Sequence, residues 1–251
     1  NRTLKRASEG KAVPLTKAVM AQKAPTSRKA VFNDPHLGLQ WHMVNNGDLG
    51  KTKFIAGADI QAEKAWELCT GDPSVIVAIL DEGIDISHPE LIPNLWVNEN
   101  EVWRGTEDKD GNGYAGDYHG YNFAAGHGII STGGRYDTGH GTHVAGVISA
   151  ANNNGMGISS VAGGDGSAGS GVKLMSCQIF SGSLAGTVLD EVRAIKYAAD
   201  NGAVILQCSW GYISGAANPF DWTPQFATDE QWKNNNLLEF KALDYFVHNA
   251  G

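Results

Sequence analysis

Val75-Ile76-Val77-Ala78-Ile79-Leu80, closed by the acidic, glycine-containing run Asp81-Glu82-Gly83, decides how this chain folds. An apolar run rich in β-branched residues and free of alternation reads as a strand buried on both faces, the kind found in parallel sheets. Residues 171–179 and 203–208 repeat that character, and between them residues 187–200 place Val188, Val192, Ile195 and Ala199 at helical spacing. Strand, helix, strand at these lengths predicts a right-handed parallel crossover. Residues 140–151 and 236–249 supply two more helices. A shorter helix is expected over residues 58–68, where Asp59 stands as a cap and apolar residues recur every three or four positions until Gly71-Asp72-Pro73. The expected architecture is α/β, a mainly parallel sheet with helices on both faces.

Composition narrows the function classes. The chain has 251 residues, 42% hydrophobic and 18% charged, enough for one large domain or two small ones. A formal charge of -8 repels a phosphate backbone and excludes nucleic acid as the main ligand, while favouring cations. No stretch approaches the roughly 18 apolar residues of a membrane span. Cys69, Cys177 and Cys208 are odd in number and widely spaced, which predicts neither a zinc cluster nor a disulfide framework but three small core residues. Residues 1–32 carry Lys5, Arg6, Lys11, Lys17, Lys23, Arg28 and Lys29 among small and polar residues and read as a basic flexible arm. The packed domain is expected over residues 33–251, with residues 215–235 as a long surface excursion without a clear period. The chain opens at Asn1 with no charged-then-apolar leader, so a processed or partial product without a signal peptide is expected.

Open parallel sheets carry their chemistry at the carboxyl ends of their strands. Asp81 stands there, followed by a turn that holds its carboxylate against the sheet; by itself it also reads as an ordinary turn residue. The run Asp137-Thr138-Gly139-His140-Gly141-Thr142-His143-Val144-Ala145-Gly146 puts a histidine at the start of a helix whose small residues allow close approach to a sheet. A carboxylate bonded to one ring nitrogen fixes the tautomer and stabilises the imidazolium, leaving the other nitrogen to take a proton from a nucleophile.

Residues 79–91, from Ile79-Leu80-Asp81-Glu82-Gly83 to His88-Pro89-Glu90-Leu91, together with His140-Gly141-Thr142-His143-Val144-Ala145-Gly146, resemble the aspartate and histidine motifs of subtilisin-like serine proteases, in that family's order. The resemblance implies that Asp81 is the orienting acid, His140 the general base and His143 structural. It also implies substrate contacts at two places. Leu206-Gln207-Cys208-Ser209-Trp210-Gly211 resembles the strand ending in Ser-Leu-Gly that lines the pocket before the cut bond, with Trp210 for leucine. Ser181-Gly182-Ser183-Leu184 resembles the edge to which an extended peptide adds as a strand. Ser209 is then a pocket residue and not the nucleophile. The family's Gly-Thr-Ser-x-Ala and Ala-Gly-Asn segments do not occur in the sequence. The chain therefore resembles a domain truncated at its C-terminal side, inactive alone, whose serine lies beyond residue 251 and whose apolar surface is left exposed around residues 236–249. Protein or peptide substrates, the missing C-terminal part of the domain as a partner, and a secreted or cell-envelope location are implied likewise. The basic arm stands where such proteases carry the end of a propeptide or a linker; a plain disordered terminus is the other reading. An inactive homologue or a non-catalytic peptide-binding module of the same fold is the alternative function.

Asp108-Lys109-Asp110-Gly111-Asn112-Gly113-Tyr114-Ala115-Gly116-Asp117 alternates oxygen-bearing side chains as the first half of a calcium loop does. Asp108, Asp110, Asn112 and Asp117 are candidate calcium ligands, a solvated acidic turn being the other reading. Glu90 and Asn152-Asn153-Asn154 resemble a second calcium site of the family. No organic cofactor is expected. A zinc enzyme built on His140 and His143 is disfavoured because a third ligand and the His-Glu-x-x-His spacing are missing.

Overall fold

The computed structural model describes residues 5–6, 31–48, 55–134, 137–182, 184, 186–211 and 228–251. In chain order the elements are β1 (Lys5–Arg6), α1 (Ala62–Trp66), β2 (Ile76–Asp81), β3 (Gly120–Asn122), α2 (His140–Ser149), β4 (Lys173–Gln178), α3 (Val188–Asp200), β5 (Ile205–Gln207), β6 (Trp210–Gly211), α4 (Asp229–Asn235) and α5 (Leu237–Asn249). Single 3-10 turns stand at Leu37–Leu39 and Ile92–Asn94.

The unbroken apolar run does become a central strand. β2 pairs in parallel with β4 on one side and β5 on the other, and β3 joins the far side of β4, giving the order β3-β4-β2-β5. Side chains then divide by parity. Ala78 and Leu80 of β2, with Met175 and Cys177 of β4, face Ala194, Ile195, Ala198 and Ala199 of α3 and Ala242 and Phe246 of α5. Val77 and Ile79, with Leu174, face Ala145 of α2 and the apolar residues Ile84, Leu91 and Leu95. Both faces are covered by helices, as expected for a parallel sheet. Ile79 and Leu80 are wholly buried, and each contributes about 1.5–3 kcal/mol through removal of apolar surface from water.

α3 starts where its sequence supplies a capping box: the Thr187 hydroxyl accepts from the Asp190 amide, and the Asp190 carboxylate accepts from the Thr187 amide. β5 is an edge, with Ile205 47% exposed, and Leu238 and Val247 of α5 are 60% and 77% exposed. No helix among the described residues is long and apolar enough to cross a membrane.

Several elements differ from the sequence reading. The helix expected over residues 58–68 shortens to α1, because Gln61 takes a left-handed backbone (φ 60°) and the Asp59 carboxylate is engaged by the amides of Asn45 and Gln61. Of the cysteines expected in the core, only Cys177 is buried; Cys69 and Cys208 are exposed. The excursion expected over residues 215–235 contains α4, capped by Thr228, while its residues 215–227 lie outside the described residues. Of the basic arm expected over residues 1–32, the described residues are β1, which pairs antiparallel with β6, and residues 31–32; the others lie outside the described residues. Phe32 already packs against Trp66, with ring centroids 4.7 Å apart.

Candidate active site

Asp81 is the last residue of β2 and is wholly buried. It continues the alternation of Val77 and Ile79, so its side chain rises on the α2 face of the sheet. Its main chain is held by neighbours on the adjoining strand end: its carbonyl accepts from the amides of Ile179 and Phe180. The carboxylate takes the Glu82 amide at 2.7 Å on Oδ1.

α2 delivers the ring. Its first residue, His140, follows Gly139 at φ 87°, a left-handed conformation that costs glycine little. Gly141 stands where any Cβ would lie 2.4 Å from the Glu82 carbonyl oxygen, so the residue lacking one lets the helix come flush with the end of β2. The His140 Nδ1 then sits 2.8 and 2.9 Å from the two Asp81 oxygens. A carboxylate only accepts, which assigns the proton to Nδ1 and leaves the lone pair on Nε2. The imidazole side chain is 16% exposed and its acid partner 0%. A buried acid touching the inner nitrogen of a half-buried imidazole can orient it, fix its tautomer and stabilise its protonated form.

The family model for the Subtilase family matches residues 72–245, spanning β2 through most of α5. The chain belongs to the subtilase family. Subtilisin-like protease 1 of Plasmodium berghei is 30% identical over 190 residues, covering 74% of this chain and 27% of that protein. The calcium-dependent protease of Trichormus variabilis is 34% identical over 179 residues, covering 70% of this chain and 21% of that protein. Among solved structures, fervidolysin from Fervidobacterium pennivorans aligns with a TM-score of 0.48 at 20% identity, covering 99% of this chain and 28% of that one. This subtilase chain thus spans about a quarter of the length of the curated relatives it matches.

The substrate segments expected of the subtilase are placed as follows. Trp210 donates its indole N–H to the Leu80 carbonyl, one residue before the acid, and Ser209 accepts from the Gln207 side chain at 2.7 Å. Gly211 closes β6, whose register is Lys5 opposite Gly211 and Arg6 opposite Trp210. Ser181 is buried, with its hydroxyl accepting from Asn122 at 2.9 Å. Ser181 and Leu184 exchange both backbone bonds around Gly182, so this segment closes into a tight turn; Ser183 lies outside the described residues. His143 lines a 660 Å³ cavity with Asp85, His88 and Asp137, and no third ligand converges with His140 and His143 among the described residues.

The acidic loop gathers a cluster that differs from the sequence expectation in one member. Ligand oxygens of Glu101, Asp110 and Asp117 all lie within 4.8 Å of one another. Asp108 instead turns inward, its oxygens taking the amides of Asn112 and Gly113. The side-chain amides of Asn98 and Asn112 reach both Asp110 and Asp117, and Tyr197 donates to Asp117 at 2.7 Å. Burial raises the Asp117 carboxyl above its ordinary value despite these donors. Glu101 was missed because it stands seven positions before Asp108; the oxygen-rich run Asn98-Glu99-Asn100-Glu101 was the available signal.

A second group forms at Glu90. Asn154 donates to its Oε1 at 3.2 Å while its buried Oε2 has no hydrogen-bond partner among the described residues. Burial, with Asp34 nearby, raises its carboxyl. Asn152 is turned away to Ser160.

Proposed function

We propose that this chain carries the acid and the general base of a serine endopeptidase, with the nucleophilic serine supplied by sequence outside these 251 residues. The observation that carries the reading is the contact between Asp81 and the inner nitrogen of His140. In the reaction, Nε2 of His140 takes the serine proton as the hydroxyl oxygen attacks the scissile carbonyl, and Asp81 stabilises the imidazolium. The same ring protonates the leaving amine, then activates the water that hydrolyses the acyl-enzyme. The chain alone is inactive on this reading, because an oxyanion donor and the nucleophile supply most of the acceleration.

Protein and peptide substrates follow, seated on Ser209, Trp210 and Gly211 and along Ser181, Gly182 and Ser183. The pairing of β1 with β6 supports this seat, since an extended segment of the chain already adds there as a strand. It likewise supports reading residues 1–32 as a propeptide or linker segment, of which β1 pairs at the substrate edge, distinct from a peptidase portion over residues 33–251. The same pairing favours one second reading, a module that binds peptides without turnover. A serine-directed phosphonate applied to the full-length gene product separates the two. Labelling that disappears in His140→Ala is expected, whereas peptide binding with no labelling establishes the module.

Glu101, Asp110 and Asp117 form an oxygen set suited to calcium, and a cation there relieves three crowded carboxyls. Asp108 serves the loop turn. Such a site fills at the calcium concentrations outside cells, which fits a secreted or cell-envelope protein. Calcium at a hundredfold over its Kd is expected to stabilise the fold by about 2.7 kcal/mol. Calorimetry with calcium against chelator reads this as a rise in Tm, lost in Asp117→Asn. An identical melt in both conditions contradicts the assignment.

A further inference from the structure

The N-terminus of α2 has no cap of its own, because Gly139 at the cap position has no side chain to offer. Glu82 supplies one from the end of β2. Its Oε2 accepts the amides of Thr138 at 2.6 Å and His140 at 3.0 Å, and its Oε1 accepts the Thr138 hydroxyl at 3.1 Å. Glu82 is wholly buried, and each of these partners is a donor, the set that an ionised carboxylate accepts. Consecutive residues therefore hold His140 twice: Asp81 by its ring and Glu82 by its main chain.

A helix carries partial positive charge at its N-terminus, and an imidazole placed there loses proton affinity. His140 is the first residue of α2. A general base so placed needs an opposing negative charge, and a buried one acts strongly because little water screens it.

We propose that Glu82 is a positioning residue of the peptidase chemistry, capping α2 and neutralising its positive end so that His140 stays basic enough to take the serine proton. The assignment rests on His140 as general base, yet its test needs no serine. Other ionisable groups on the elements that meet here are Asp81 at the end of β2; Asp85 in the following turn, whose amide donates to Thr142; and Asp137 and His143 beside or within α2, which line a cavity with Asp85. Beyond β5, Cys208 lies within electrostatic reach of Asp81.

The experiment follows the His140 imidazole by NMR in the histidine-labelled full-length gene product, its signal assigned by loss in His140→Ala. Glu82→Gln is expected to lower the His140 pKa by about one unit. Hydrogen exchange at the Thr138 and His140 amides should quicken by about tenfold. In turnover, the acid limb of the kcat/KM profile shifts down with the imidazole while KM holds. Glu82→Asp, which keeps the charge but shortens its reach, restores the imidazole pKa and leaves exchange fast. An unchanged His140 titration in Glu82→Gln overturns the proposal, as does a shift that appears in Asp137→Asn instead. Should Glu82→Gln fail to fold, the wild-type protein decides: the Glu82 carboxyl carbon is expected at its carboxylate position throughout the His140 titration, and a protonated Glu82 there overturns it. Absence of phosphonate labelling of the wild-type protein sinks the peptidase reading and leaves the NMR result to stand or fall by itself.

Discussion

His140→Ala in the full-length gene product is expected to lower kcat/KM for a peptide substrate by about five to six orders of magnitude, with binding retained. On the proposed reading His140 carries the serine proton, and its Nδ1 is held by Asp81 at 2.8 and 2.9 Å. Asp81→Asn should cost about four orders, because an amide at this place donates to Nδ1 and leaves the proton on Nε2, which then cannot accept from the serine. The double variant should be little worse than His140→Ala, since the two residues act as one unit. Steady-state kinetics with a phosphonate titration of active sites checks all three. Losses that multiply would show that the two side chains act independently, contrary to their contact.

The second large effect concerns stability and pH. Glu191 opens α3 and Glu239 opens α5, and the two carboxyl side chains meet where these helices pack, 5% and 4% exposed. Glu191 Oε2 has no hydrogen-bond partner among the described residues. Burial first, then the neighbouring Glu239, pushes Glu191 up to about 8 from an ordinary 4.5. The folded state therefore keeps a proton that the unfolded chain releases across that interval, so folding takes up a proton and stability falls as pH rises through it. The expected loss between pH 5 and pH 8 is about 2–3 kcal/mol. Glu191→Gln should flatten this slope and raise stability at pH 8 by a similar amount. Urea unfolding at a series of pH values checks it, and a wild-type profile without that slope contradicts it.

What could be read in the sequence was what repeats a local rule. Residues 75–80 and 187–200 announce a buried strand and an amphipathic helix by their own patterns, and they became β2 and α3. His140 with its glycines was legible because close approach demands small residues, and Gly141 shows that demand directly against the Glu82 carbonyl. Elements fixed only by partners were not legible. β3 is three residues, Gly-Tyr-Asn, with no pattern of its own, and exists through its pairing with β4. Asp59 looked like a cap but serves Asn45, fourteen positions away. Glu101 joins the acidic cluster across a loop, and Glu82 reads as a turn residue until α2 is laid against it.

Because Asp81 shares its side of the sheet with Val77 and Ile79, the direction of the acid is locked to the same odd-and-even count that sorts the core. Inserting or deleting one residue inside this strand would invert every following side chain. The acid would then point among the alanines of α3 rather than toward the imidazole. Substitutions along the strand are graded injuries, but a shift in reading register by one is all-or-none, so length here is under tighter constraint than identity.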